Sequence, residues 1–258
     1  MSKLKLMLTG YNGRMGRAVG EAAAGSDEFI INVGIDINPA AANPSFPVFL
    51  RPLDYSGALD VIIDFSHHTA VDALLAYACE RHTPLVIATT GHTAEEHALI
   101  KKAAADVPVF MAANMSLGVS LVIEMAKKLT AALSPDFDIE IIEKHHSNKL
   151  DAPSGTAIAI AEAVSGAMKE RPEYVYDRHN IRAKRGKNEV GLHAVRGGTI
   201  IGEHEIIFAG TDEIITLAHS ARSREIFAQG ALRAAKYIAG KPAGMYDMRG
   251  LAEDLMKN

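Results

Sequence analysis

One short segment, Glu143–Ala157, concentrates the groups of this chain that can do chemistry. It reads EKHHSNKLDAPSGTA, so that two histidines and a lysine leave a strand end and precede a predicted helix start. A histidine can give or take a proton near neutral pH, and a lysine supplies fixed positive charge to an anion or to charge that develops during a reaction. The N–H groups of Gly155 and Thr156 would point out of the helix start toward a carboxylate. The segment therefore predicts acid–base chemistry on an anionic substrate.

A plainer interpretation of the same segment competes with the chemical one. Charged residues at strand ends are usually solvated, and most Ser-Gly-Thr runs only begin a helix. The two histidines and the lysine, combined with an anion site at a helix start, favour the chemical interpretation. The histidines lack the His-Glu-x-x-His spacing of a zinc site, and the chain has no Gly-x-Ser-x-Gly elbow for a serine nucleophile. We therefore expect no metal.

A glycine-rich loop, Thr9–Gly16, lies between the first predicted strand and the first predicted helix. Its glycines are spaced Gly-x-x-Gly-x-x-Gly, a departure from the usual Gly-x-Gly-x-x-Gly. Glycine permits the tight turn and the approach of a pyrophosphate, and the helix N-terminus adds free N–H groups. A turn with glycines for packing is the alternative. Asp36 closes the second strand, where an acid would bind ribose hydroxyls, and this favours dinucleotide binding.

The residue after this acid bears on the choice of cofactor. Ile37 stands where an NADP-selective enzyme often has an arginine, which favours NADH over NADPH. Arg14, Lys3 or Lys5 could still bind a 2′-phosphate, so use of both cofactors stays open.

The ends of later strands are small and polar. Ligands of open α/β sheets bind at the carboxyl ends of the strands, which suits these segments to lining a cofactor. They are Asp64–His68, Ala88–Gly91 and Ala112–Ser116. N-capping of the next helix by Ser66, Thr93 or Ser116 is the alternative.

The order of elements determines where these groups lie. Apolar β-branched runs alternate with alanine-rich helical stretches in the first half, which is typical of a doubly wound parallel sheet buried on both faces. The predicted strands are Leu4–Thr9, Phe29–Ile35, Leu59–Phe65, Leu85–Thr89 and Val107–Met111. The predicted helices are Arg14–Ala24, Thr69–Arg81 and Ala94–Ala105, and Ile37–Asp54 is mostly loop.

The pattern changes in the second half. Predicted helices cover Leu117–Ala132, Ser154–Lys169 and Ser223–Ala239, and strands cover Phe137–Glu143, Val190–Val195, Thr199–Phe208 and Glu213–His219. The polar stretch Arg171–Asn188 is predicted to be a mobile loop. Closely spaced strands without helices between them predict an antiparallel or mixed sheet. The fold class is therefore α/β, a Rossmann-type doubly wound parallel sheet with an inserted α+β domain of mixed sheet.

The bulk composition excludes several classes of function. A net charge of −4 gives no reason to expect a nucleic-acid or membrane partner. No apolar run approaches the roughly 20 residues that span a bilayer, and no signal-peptide pattern is present, so we expect a cytoplasmic protein. Cys79 is the only cysteine, which excludes an intramolecular disulfide. Its alanine-rich surroundings predict a buried structural thiol.

The segment Glu143–Ala157 resembles the signature of the dihydrodipicolinate reductase family. The resemblance extends over nearly the whole chain, through Gly10–Gly16, Ala88–Gly91, Ala113–Val119, Val195–Gly198, Gly202–His204 and Ala218–Arg224. It implies a homotetramer built through the sheets of a substrate domain that is hinged to a Rossmann domain. We expect the dinucleotide-binding domain to cover 1–116 and 221–258, and the substrate-binding and oligomerisation domain to cover 117–220.

The resemblance also implies a reaction: NADH or NADPH reduces a cyclic dicarboxylate, 4-hydroxy-tetrahydrodipicolinate (dihydrodipicolinate), to tetrahydrodipicolinate in lysine and diaminopimelate biosynthesis. His145 would protonate the ring carbon beside the one that receives hydride, and Lys149 would assist and bind a carboxylate. His146, Ser154, Gly155 and Thr156 would hold the substrate carboxylates, with Arg224 near the cleft between the domains. The cofactor would contact Gly10, Tyr11, Asn12, Gly13, Arg14, Met15, Asp36, Phe65, Ala88, Thr89, Thr90, Ala112, Ala113, Asn114 and Met115.

Three other functions remain open at this point. A semialdehyde or amino-acid dehydrogenase would share the nucleotide-binding half but would not explain the segment from His145 to Thr156. A nicotinamide-binding sensor without turnover would more naturally lack His145 or Lys149, and both are present. A relative with an altered substrate, such as a transaminating one, is not distinguished by sequence.

Overall fold

The computed structural model describes residues 2–41, 45–180 and 182–257. The chain divides into two compact units. Met1–Leu117 and Arg224–Asn258 form the first unit, and Gly118–Ser223 form the second. The second unit is thus an insertion within the first.

A seven-stranded sheet forms the centre of the first unit, with the strand order β12-β6-β5-β4-β1-β2-β3. Every pairing in it is parallel. The strands are β1 Leu4–Thr9, β2 Phe29–Ile35, β3 Val48–Phe49, β4 Val61–Asp64, β5 Leu85–Ile87, β6 Pro108–Met111 and β12 Gly244–Tyr246. The predicted doubly wound parallel sheet is confirmed.

Helices cover both faces of this sheet. They are α1 Arg14–Ala24, α2 Val71–Arg81, α3 Ala94–Ala103, α6 Glu225–Ile238 and α7 Met248–Lys257. Successive residues of a strand point to opposite faces, so Leu6 and Leu8 of β1 join a core with α1, α6 and α7, whereas Met7 joins a separate core with α2 and α3. Two-sided burial explains why these strands read as continuous apolar runs.

A five-stranded mixed sheet forms the second unit, with the order β11-β10-β7-β9-β8. The strands are β7 Asp138–His145, β8 Glu173–Val175, β9 Glu189–Arg196, β10 Gly202–Ala209 and β11 Ile214–Ala221. Strands β7, β10 and β11 pair antiparallel, and β7, β9 and β8 pair parallel. Helices α4 (Leu117–Leu133) and α5 (Gly155–Ala167) share one core with the inner face of this sheet. The predicted mixed sheet is confirmed.

Four details differ from the sequence expectation. Strand β7 continues through His145, two residues beyond the predicted end at Glu143, because Glu143 and His145 are buried and continue the alternation of β7. Strand β8 pairs with β9 inside the predicted loop 171–188; Ile181 of that loop lies outside the described residues. Strand β12 and helix α7 were not predicted. The predicted loop 37–54 contains β3 and two short 3₁₀ turns, Pro39–Ala41 and Pro52–Asp54.

Candidate functional site

The alternating pattern of β7 places Glu143 and His145 side by side on its buried face. Ile139, Ile141, Glu143 and His145 are all buried, with intermediate residues between them. The first two belong to the apolar core of the second unit, so the strand carries its polar pair directly next to that core. Glu143 has no exposed surface and His145 has 9%.

Four hydrogen bonds converge on the Glu143 carboxylate. Arg196 of β9 donates from both terminal nitrogens, at 2.7 Å to Oε1 and 2.8 Å to Oε2. The Ser154 N–H donates to Oε1 at 2.9 Å, and His145 Nδ1 lies 2.6 Å from Oε2. Burial by itself raises the pKa of Glu143, but the hydrogen bonds from Arg196, His145 and Ser154 outweigh it and leave that pKa lowered. Glu143 is therefore a buried carboxylate that stays ionised.

The ring of His145 faces Gly202 of β10 on the side of Nε2. A Cβ built on Gly202 would lie 3.0 Å from His145 Nε2, so the glycine keeps a side chain away from that nitrogen. The ring of His204 lies edge-on to His145, with ring centroids 5.3 Å apart. His145 thus has Nδ1 fixed by the protein and Nε2 beside a position that carries no side chain.

His204 connects this pair to the start of α5. Its Nε2 lies 3.1 Å from the Ser154 hydroxyl, and that hydroxyl also accepts the Ala157 N–H as the N-cap of α5. Burial, together with the nearby His145, lowers the pKa of His204 to about 4. His204 is therefore neutral near pH 7.

The turn after β7 carries the predicted cation. Lys149 Nζ lies 2.8 Å from the Asp151 carboxylate, and the hydrogen bond from Lys149 lowers the pKa of Asp151. Arg196 also donates to the Asp151 carbonyl at 2.7 Å, which ties this turn to β9. The side chain of Lys149 is 21% exposed. It is a partly exposed cation four residues after His145 in the chain, with an acid as its present partner.

The predicted anion-binding residues lie at the N-terminus of α5 and in the turn after β7. They differ in how many of their polar groups already make hydrogen bonds within the protein. Both the N–H and the hydroxyl of Ser154 make hydrogen bonds within the unit. A Cβ on Gly155 would meet no atom within 4 Å, so the space before it is open. His146 is half-buried, and its Nδ1 has no hydrogen-bond partner among the described residues. The second unit therefore brings together His145, His146, Lys149, Ser154, Gly155 and Thr156 in β7, its turn and the start of α5.

The glycine-rich loop of the first unit follows β1 directly. Gly10 has φ +70°, and a Cβ on it would lie 2.3 Å from the Phe65 carbonyl oxygen. A Cβ on Gly16 would lie 2.2 Å from the Gly10 carbonyl oxygen. These two glycines are required for turn and packing, as the alternative interpretation held. Gly13 is the N-cap of α1 and has no side chain that could accept a hydrogen bond from the first N–H groups of the helix. The first turn of α1 also contains no acidic residue.

This geometry fits a dinucleotide. The first N–H groups of a helix lack partners inside the helix, and a phosphate can accept from them. Asp36, at the end of β2, accepts the N–H of Asn12 at 2.9 Å and that of Asn38 at 3.0 Å. Its carboxylate is thus fixed beside the loop, where ribose hydroxyls would reach it. The neighbouring Ile37 is 92% exposed and contributes no charge.

The remaining predicted cofactor residues lie at the same carboxyl edge of the sheet. Phe65, Ala88–Thr90 and Ala112–Met115 follow β4, β5 and β6. Asp64, which is buried, accepts the hydroxyls of Thr9 and Ser66 and so joins the end of β1 to the end of β4. Ser66 therefore does not cap a helix, whereas Thr93 does: its hydroxyl accepts the Glu96 N–H at 3.2 Å in a reciprocal capping box.

Arg224 lies in the first unit, at the residue before α6. The other predicted substrate residues lie in the second unit. Three side chains of the site were not predicted at all: Glu143, Arg196 and His204. A signal for Glu143 was available, because the period-2 pattern places it on the face of His145. No local pattern connects Arg196 or His204 to His145, since 50 or more residues separate them.

Metal and membrane features are absent from the described part of the chain. No group of three or more histidine, cysteine, aspartate or glutamate side chains is arranged to hold a metal ion there. None of the helices in the described ranges is long and apolar enough to cross a bilayer. Cys79 is partly buried against the core of α2 and α3, and burial raises the pKa of its thiol.

Comparison with protein families matches both units. The model of the N-terminal part of dihydrodipicolinate reductase matches residues 4–115, and the model of its C-terminal part matches residues 118–251. A 4-hydroxy-tetrahydrodipicolinate reductase of Caldanaerobacter subterraneus subsp. tengcongensis is 46% identical over 254 residues, 98% of each chain. One of Clostridium tetani is 43% identical over 245 residues, 95% of each chain. These matches confirm the resemblance seen in the sequence.

Solved structures show the same fold. A dipicolinate-bound dihydrodipicolinate reductase of a Paenisporosarcina species covers 95% of this chain and 97% of its own, with a TM-score of 0.77 and 24% identity. A Corynebacterium glutamicum DAP dehydrogenase in complex with DAP covers 100% and 99%, with a TM-score of 0.58 and 13% identity. The arrangement of a parallel sheet with an inserted mixed sheet is therefore shared well beyond close relatives.

Proposed function

The chain belongs to the dihydrodipicolinate reductase family, and on that premise we propose that it reduces 4-hydroxy-tetrahydrodipicolinate to tetrahydrodipicolinate with a nicotinamide cofactor. One observation carries the proposal. Over 98% of its length the chain is 46% identical to a reductase of that name. The chain also has a buried histidine, His145, whose Nε2 lies beside a glycine. The function belongs to lysine and diaminopimelate biosynthesis, as the relatives' name implies.

His145 acts as the general acid in this proposal. The bound nicotinamide supplies a hydride to one ring carbon of the substrate. Hydride addition leaves an electron-rich neighbouring carbon, which needs a proton from an acid close to the ring. His145 delivers that proton from Nε2, because its Nδ1 is held by the Glu143 carboxylate at 2.6 Å. The substrate first loses its 4-hydroxyl as water to give dihydrodipicolinate, and proton and hydride together then complete the reduction of one double bond of that ring.

The cations and N–H groups around His145 hold the two substrate carboxylates. Lys149 exchanges its contact with Asp151 for a substrate carboxylate, and charge-assisted hydrogen bonds of this kind are strong. The second carboxylate accepts from the N-terminus of α5 and from His146. Open space before Gly155 supports this placement. Arg224 is the further substrate-binding residue in the proposal.

The cofactor binds along the carboxyl edge of the parallel sheet. The start of α1 holds the pyrophosphate, and Asp36 accepts the adenosine ribose hydroxyls. Phe65, the segment from Ala88 to Thr90 and the segment from Ala112 to Met115 complete the site. The absence of a cation at Ile37 supports a preference for NADH, with NADPH as the second cofactor.

A homotetramer in the cytoplasm completes the proposal. Strand register places Ile142, Val195, Ile207 and Ile214 on the face of the second sheet that is opposite to α4 and α5. Val195 is 44% exposed and Ile214 is 69% exposed. Apolar side chains that remain exposed on a sheet face are typical of a surface that another copy covers. The first unit would bind the dinucleotide and the second would bind substrate and assemble.

Absorbance at the nicotinamide band tests the activity. Aspartate semialdehyde, pyruvate and the upstream synthase generate the substrate in place, and NADH and NADPH are offered separately. We expect oxidation of the cofactor that requires both this protein and the synthase, faster with NADH. A folded protein that binds NADH but oxidises neither cofactor would be a sensor, which is the alternative function.

A further inference from the structure

We propose that the Glu143–Arg196 pair is a positioning device that fixes which nitrogen of His145 carries the transferable proton. The inference rests on the proposed function for its effect on catalysis. Its structural part concerns only the state of the His145 ring, so it can be tested without any turnover.

The hydrogen-bonding capacity of the Glu143 carboxylate determines whether His145 Nδ1 carries a hydrogen. An ionised carboxylate only accepts hydrogen bonds, and Glu143 faces four donors: two from Arg196, one from Ser154 and one from His145 Nδ1. The two nitrogens of Arg196 and the Ser154 N–H cannot accept in return. His145 Nδ1 must therefore carry a hydrogen, whether the ring is charged or neutral.

A hydrogen on Nδ1 also determines the tautomer of the neutral His145 ring. In a neutral imidazole only one nitrogen bears a proton, and the bond made by the other end of the ring decides which one. With Nδ1 protonated against Glu143, Nε2 is the nitrogen that gains and loses a proton. Gly202 leaves the side of Nε2 without a side chain. The protein thus directs proton exchange to Nε2, the nitrogen that faces a position without a side chain.

Arg196 is needed because it keeps the buried Glu143 ionised. An unpaired buried carboxylate would take up a proton, because burial favours the neutral form. The fork of Arg196 matches both carboxylate oxygens and keeps the Glu143 pKa lowered despite complete burial. A protonated Glu143 could present its own O–H to His145 and would no longer specify the tautomer. Arg196 therefore acts on His145 through Glu143.

The variant Glu143→Gln tests this device. Glutamine keeps the shape but replaces one acceptor oxygen with an NH₂ donor. If that NH₂ faces His145, Nδ1 must accept a hydrogen bond, so the ring is neutral and carries its proton on Nε2. A neutral imidazole is a far weaker acid than an imidazolium, because loss of its proton leaves an imidazolate. We expect kcat to fall about 100-fold, as for loss of a general acid. The KM for NADH should not change, because the residues proposed to bind NADH lie in the other unit.

Glu140→Gln is the matched control. Glu140 lies on the same strand and accepts from Arg178, Arg185 and His193. The control variant therefore also loses a carboxylate that has arginine and histidine partners. It has no contact with His145. We expect kcat of this variant to stay near that of the unchanged protein. Equal kcat values for Glu143→Gln and Glu140→Gln would overturn the proposal.

Nitrogen-15 NMR of labelled histidines gives the decisive readout in the unchanged protein. The His145 signals are assigned by their loss in His145→Ala. We expect neutral His145 to carry its proton on Nδ1, and Glu143→Gln, where it folds, to move it to Nε2. A neutral His145 with its proton on Nε2 in the unchanged protein would overturn the proposal. If the protein proved to have no reductase activity, the same spectrum would still decide the positioning role, so the two failures are distinguishable.

Discussion

At the scale of single residues, the account depends on two side chains that the sequence analysis singled out, His145 and Lys149. Changing either to alanine should mainly lower kcat, by about 100-fold for the general acid. Binding of NADH should remain intact, because the predicted cofactor residues lie in the first unit. Steady-state kinetics, with NADH binding followed by fluorescence, check this. Full activity of either variant would mean that its assigned role is wrong.

His204 should make the protein less stable in acid. Its pKa is about 4 in the folded protein and near 6.5 in an unfolded chain. Between these values the unfolded chain binds more protons, so stability falls as pH falls from about 6.5 to about 4. The loss is on the order of 3 kcal/mol when complete.

The variant His204→Gln removes this titration. Compared with the unchanged protein, it should lose less stability between pH 7 and pH 4.5, as measured by thermal unfolding at both values. Since Glu143 has a lowered pKa, its contribution is lost in the same direction at lower pH, in both proteins alike. An identical loss of stability in the two proteins would show that His204 is not the group responsible.

At the scale of elements, the close approach of β10 to β7 predicts the effect of a single methyl group. In Gly202→Ala the new Cβ would lie 3.0 Å from His145 Nε2, closer than normal van der Waals contact. We expect the ring or the strand to shift and kcat to fall, with little change in thermal stability because a small shift relieves the contact. A kcat equal to that of the unchanged protein would show that the space beside Nε2 is not used in catalysis.

The end of β2 predicts cofactor choice. Asp36→Ala removes the acceptor for the ribose hydroxyls. It should therefore weaken the binding of NADH more than the binding of NADPH, whose 2′-phosphate replaces one hydroxyl. The KM values for the two cofactors, measured side by side, test this. Equal losses would undermine the ribose argument; Asp36 would then serve only to bind the Asn12 and Asn38 N–H groups.

Elements were predictable from sequence where their periodicity is strong. The strands Leu4–Thr9 and Phe29–Ile35 and the helix Arg14–Ala24 have the expected bounds, because strands rich in apolar residues and an amphipathic helix leave little choice. The end of β7 was placed too early, since Lys144 and His145 read as polar residues leaving a strand. Burial of His145 depends on partners from other strands, which a local pattern does not contain. Strand β12 has only three residues, too short for a period to be seen.

At the scale of the whole molecule, the sequence predicted the fold class, because alternating strands and helices followed by closely spaced strands allow few architectures. The contacts of Arg196 and His204 in the site were less predictable. Arg196 and His204 meet Glu143, His145 and Ser154 only after β7, β9 and β10 have paired. Long-range pairing of this kind brings chemistry together without any sequence spacing to reveal it. The resemblance to a family indicated these segments but assigned them no role.

The reaction proposed for this protein transfers one hydride and one proton to a ring double bond. The most direct test uses NADH with deuterium at the transferred position, in ordinary water, with the substrate generated in place and the product analysed by mass spectrometry. We predict a tetrahydrodipicolinate one mass unit heavier than that formed with unlabelled NADH, in an amount equal to the NADH consumed. A product without the added mass, or consumption of NADH without this product, would contradict the account.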